Sequence, residues 1–102
     1  MPKKTFAAIV QRTEKWDRTK EAHEQEGFAG HAAFVEGLEK DGFIGMAGLM
    51  MPSEEVLFIF LADSEEEVRQ RMRQDPWQQD GHAKLTRVEE IFIRIGAPKQ
   101  DN

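Results

Sequence analysis

Two short motifs far apart in the chain carry the residue types needed for proton transfer. His31-Ala32-Ala33-Phe34 falls on the apolar face of a predicted helix, and Asp75-Pro76-Trp77 stops a second one. A fold that joined them would set an imidazole and a carboxylate beside an aromatic wall. Imidazole changes charge near neutral pH, and a carboxylate can hold its tautomer, so the pair needs neither metal nor cofactor. Each residue also has a structural account. A half-buried helix histidine finds a backbone carbonyl or water. Asp75 before Pro76, with Gln78 three residues beyond Asp75, reads as the N-cap of a short helical turn. Trp77 reads as a core or interface anchor.

Other chemistry is poorly supplied. His23-Glu24 opens like a zinc-protease helix, but Gly27 stands where the second histidine belongs. His82 follows Gly81 at a strand start and is expected to be solvated. Three histidines without ligand spacing, and no cysteine, give no metal site. Gly42, Gly45 and Gly48 match neither dinucleotide nor phosphate-loop patterns, so no cofactor is expected. A net charge of −5 and a pI near 5.2 argue against a nucleic-acid surface. The apolar runs are far shorter than a membrane span, and Met1-Pro2-Lys3-Lys4 leads into a strand rather than a signal core. A cytoplasmic domain is the expectation.

The elements that would position the two motifs follow from periodicity. The 102 residues suit one domain, with its ordered core at about 5–96 and a frayed tail at 97–102. Thr5 to Val10 reads as a strand. Thr13 to Gln25 is a charged connection, part helical, of a length typical of a lid or binding loop. From Ala29 to Lys40, His31, Phe34, Val35 and Leu38 recur at helical spacing, and Gly42 supplies the left-handed stop. Phe43 to Met51 is a strand interrupted by Gly45 and Gly48, where a ligand or backbone comes close.

Pro52 to Glu55 turns the chain into Val56 to Leu61, a central strand covered on both faces. Ser64-Glu65-Glu66-Glu67 is a capping box, followed by Glu65–Arg69 and Glu67–Arg71 pairs and a buried stripe of Val68 and Met72. Leu85 to Ile95 reads as the last strand, with Ile91, Ile93 and Ile95 on one side. The order βαββαβ predicts an α+β, ferredoxin-like fold, an antiparallel four-stranded sheet with two helices on one face. Nothing remains to cover the other face, so a sheet-to-sheet homodimer is expected. Met46, Met50 and Met51 would serve as adaptable packing in the core or at that seam.

The ordered set of an opening strand, the His31-x-x-Phe34 helix, Leu38 with Gly42, the Gly48 strand, and Asp75-Pro76-Trp77 with Gly81 resembles the YCII-related (YciI-like) family over about 5–95. Leu49 follows Gly48 where that family often carries proline. The resemblance implies a dimeric α+β barrel and a pocket between helix and sheet. It implies His31 and Asp75 as a dyad, with Trp77, Gly48 and Phe34 against a small-molecule ligand. The activity it implies is a cofactor-free proton transfer, isomerisation or elimination on a small carbonyl or aromatic-derived compound. A non-catalytic ligand-binding or dimerisation module is the alternative.

Overall fold

Alternation of Phe6, Ala8 and Val10 with Ala7 and Ile9 gives the first strand two distinct faces. In the computed structural model, which describes residues 3–97, this strand is β1 (Lys4–Arg12). It is followed by α1 (Phe28–Lys40), β2 (Ile44–Leu49), β3 (Val56–Ala62), α2 (Glu65–Met72), α3 (Pro76–Asp80) and β4 (Ala83–Glu90). The strands form one sheet in the order β2-β3-β1-β4, and every neighbouring pair is antiparallel. This α+β arrangement is compatible with a ferredoxin-like fold. β3 is central, as expected, and Phe58 and Phe60 lie opposite Ala8 and Phe6.

The hydrophobic core lies between this inner sheet face and the helices. Phe6, Ala8, Val10, Phe58 and Phe60 meet Leu38 of α1, Val68 and Met72 of α2, and Trp77 of α3. Ile59 and Leu61 are buried too, although as alternate residues of β3 they belong to the opposite face. Among the described residues no helix is long and apolar enough to cross a membrane.

Two helix ends fix the registers that matter for the site. At the end of α1, Gly42 adopts φ 74°, the Gly42 amide donates to Glu39 O, and the Phe43 amide donates to Leu38 O at 2.9 Å. This closure lets buried Phe43 pack with Leu38 and spends the Phe43 amide. β2 consequently begins at Ile44 rather than Phe43. It ends at Leu49 because Met50 already belongs to the turn, donating to Glu55 O and accepting from Glu54 N. At the start of α2, Ser64 Oγ accepts from the Glu67 amide at 3.1 Å. Glu67 reaches back to the Asp63 amide, one residue before the position a capping box requires. Glu65 pairs with Arg69 at 2.9 Å, whereas Arg71 turns away from Glu67 to Asp41 at 2.7 Å.

The last strand differs most from the expectation. β4 covers Ala83–Glu90, and Ile91, Ile93 and Ile95 lie beyond it. Ile91 makes one further bond, donating to Thr5 O, and beyond that point β1 has only Lys4 left. An alternating pattern without a neighbouring strand has no ladder to join. Ile95 and Phe92 are accordingly exposed. Of the expected frayed tail, 98–102 lie outside the described residues.

Candidate active site

α3 is a single short turn, yet it supplies two of the key side chains. Pro76 occupies its first position, where a missing amide hydrogen costs nothing, and Asp75 is the extended N-cap. Asp75 Oδ1 accepts from the Trp77 amide at 3.0 Å, which aims the carboxylate along the turn. The opposite wall comes from α1. Gly27, in a left-handed conformation (φ 82°), starts that helix, and the Trp77 indole Nε1 donates to Glu26 O at 2.9 Å just before it. Gly30 allows the helices to close up, since a Cβ there would lie 3.2 Å from Pro76 Cγ.

This close approach brings the two motifs together. His31 Nδ1 lies 2.9 Å from Asp75 Oδ1 and 3.1 Å from Oδ2. The carboxylate is 3% exposed and the imidazole 21%, so the charge acceptor is buried and the ring reaches the edge of solvent. A carboxylate only accepts, so the neutral ring carries its proton on Nδ1 and leaves the Nε2 lone pair free. The ring also stacks on Trp77, with centroids 3.9 Å apart and planes 14° from parallel. An imidazolium there faces the indole π-surface, a contact worth about 0.5–2 kcal/mol. One carboxylate therefore makes both the N-cap contact and the contact to His31.

His31, Asp75 and Trp77 line a cavity of about 200 Å³ whose walls are otherwise mainly apolar, including Val10, Phe28, Phe58 and Met72. A benzene ring fits a cavity of about 150 Å³, so the space suits a one-ring molecule. Phe34 and Gly48 are not in that lining. Phe34 packs against the core cluster, and a Cβ on Gly48 would meet nothing within 4 Å. Gly48 pairs with Leu57, an outer-face position of β3, which carries it away from the helices.

Sequence reasoning did not single out several wall residues, Phe28, Arg12 and Trp16 among them. Trp16 is buried and meets Trp77 edge-on at 5.1 Å between centroids. Arg12 lies over the Trp16 ring at 4.1 Å and pairs with Glu54 at 3.1 Å. The 13–25 connection holds one 3₁₀ turn (Ala22–Glu24), and buried Gln25 fixes the loop. The Gln25 side chain accepts from the Asp17 amide at 2.9 Å and donates to Asp17 O at 2.7 Å. An aromatic inside a charged stretch was the available signal for this wall.

His82 is also placed differently from the expectation. It is buried, with Nδ1 2.9 Å from Asp80 Oδ1, because left-handed Gly81 folds the chain back on itself. Partial burial pushes the Asp80 carboxyl up. The His82 amide and imidazole, with the nearby Lys15 charge, outweigh that and hold it below its ordinary value. His23 sits exposed on the 3₁₀ turn. Among the described residues no group of three or more His, Asp or Glu side chains is placed to hold a metal ion. No protein-family model matches this chain, and no curated protein matches it.

Proposed function

We propose that this chain is a YciI-like enzyme that moves a proton on a small carbonyl or aromatic-derived compound without a cofactor. The observation that carries the reading is the 2.9 Å contact of His31 Nδ1 with buried Asp75 at the wall of an apolar cavity. His31 is the general acid/base. Its Nε2 takes a proton from a carbon beside a carbonyl, and the carboxylate of Asp75 balances the imidazolium. The proton returns to another atom of the same molecule in an isomerisation, or goes to a departing group in an elimination. Such a pair contributes about 10²–10⁴-fold, and confinement in the cavity supplies the rest. Trp77 and Phe28 are the proposed ring contacts. The likeness of the ordered motifs to the YciI-like family supports the same assignment.

The reading includes a homodimer packed through the outer sheet face. Support comes from Met46, opposite Ile59 on that face and 56% exposed, and from exposed Phe92 and Ile95 beyond β4. A ligand-binding module is the second reading. It is favoured by the bond of Asp75 to the Trp77 amide, which gives the carboxylate a structural task of its own.

Proton transfer is testable before the natural substrate is known. Cyclohexanone and acetophenone exchange α-protons slowly in neutral deuterium oxide, and NMR follows the loss of signal. The expected result is faster exchange of at least one ketone with the native chain, reduced about 10²–10⁴-fold by His31→Gln. Exchange that His31→Gln leaves unchanged, or binding with no exchange of either ketone, favours the module instead.

A further inference from the structure

The apolar cavity does not end at Trp16. Arg12, Trp16 and Ala22 line both that cavity and a polar cleft of about 480 Å³ outside it, which also carries Arg18, Lys20, Glu21 and Glu54. The two spaces therefore share a wall, with His31 at one end and cations at the other. We infer that the ligand of this site is a small organic anion, an apolar ring bearing a carboxylate that Arg12 holds in place of Glu54. This inference rests on the proposed use of the cavity and adds the charge of what enters it.

Four observations carry it. The Arg12 side chain is 17% exposed, and its guanidinium lies over Trp16, so its charge sits partly desolvated at the cavity wall. In such a setting a carboxylate gains more from the guanidinium than it would in water. Glu54 already demonstrates the geometry, for its carboxylate bridges Arg12 at 3.1 Å and Arg18 at 2.8 Å. Two guanidinium groups thus converge on one carboxylate at the cavity mouth.

Glu54 is also a replaceable occupant. Its side chain is 36% exposed, so the carboxylate can turn to water and leave the two guanidinium groups to a ligand. Finally, the outer cleft sets three cations against two carboxylates, although the chain as a whole carries −5. Lys20 is 4.0 Å from Asp17, so the anion site depends on Arg12 and Arg18. A ring with its carboxylate at Arg12 would extend inward between Trp16 and Phe28, towards His31. That placement orients the ring for the dyad.

Benzoate and neutral benzamide, nearly equal in shape, test this on the full chain at low ionic strength. Binding is read from the indole N–H signals of Trp16 and Trp77. The expected result is a benzoate affinity about tenfold or more above that of benzamide. Arg12→Met should remove that preference, weakening benzoate about tenfold more than benzamide. Glu54→Gln, which removes the competing carboxylate, should tighten benzoate severalfold and decides the matter if Arg12→Met does not fold. Equal affinities, a preference that survives Arg12→Met, or no tightening in Glu54→Gln overturns the anion inference and leaves the dyad reading intact. If neither probe moves either indole signal, the cavity takes no aromatic ligand and the anion inference falls, whereas the proton-transfer reading is decided separately by the ketone exchange and its loss in His31→Gln.

Discussion

Asp75 makes three contacts with two oxygens: His31 Nδ1 at both oxygens and the Trp77 amide at Oδ1. Asn keeps a capping oxygen but loses the charge that balances an imidazolium, whereas Ala loses both. Asp75→Ala is expected to cost about 1–3 kcal/mol of stability in urea unfolding, and Asp75→Asn clearly less. Equal losses would mean that the cap contributes little. Asp80 gives a second residue-scale expectation. Its carboxyl titrates below the ordinary value of 3.8 in the folded chain, so the folded state binds that proton less readily than the unfolded one. Its contribution is therefore complete above pH 3.8 and disappears as pH falls through the lower folded value. The stability gap between the native chain and Asp80→Asn should shrink on acidification through that window. A constant gap would show that His82 and Lys15 do not hold the carboxylate.

The His31–Asp75 contact exists because two helices touch. Gly30 on α1 faces Pro76 on α3, and added bulk there pushes the helices apart. Gly30→Val is expected to destabilise by about 1–3 kcal/mol and to shift the Trp77 indole signal as His31 leaves its face. An unchanged indole signal would contradict this. The site was half legible for the same reason. His31 falls on the buried side of α1 by spacing alone, and Asp75-Pro76 announces its cap by residue type, so local rules placed both. Arg12 and Trp16 obey no such rule. One ends a strand, the other sits in a charged loop, and only the packing of that loop over the cavity unites them. His82 was misjudged because a left-handed turn at Gly81 buried it. The run from Ile91 to Ile95 misled in the opposite direction, since alternation makes a strand only where another strand lies alongside.

For the whole molecule, the charge of −5 and the cationic cleft mouth pull in different directions, which makes the local arrangement of Arg12 and Arg18 decisive. The outer sheet face has a clear test of its own. If it is the proposed homodimer seam, Met46→Glu should convert the chain to a monomer in light scattering, since a buried unpaired carboxylate opposes association. A dimer indifferent to that change would have to form elsewhere. The central claim is narrower. It holds that Asp75 accepts a hydrogen bond from Nδ1–H of His31, keeping the proton on Nδ1 and leaving Nε2 as an unprotonated base. Long-range 1H–15N correlation spectra distinguish the two ring nitrogens directly at a pH where the ring is neutral. The expected spectrum has the proton on Nδ1 of His31, with that preference lost in Asp75→Ala. A neutral native ring protonated on Nε2 would leave no base in the cavity and would contradict the proposed chemistry.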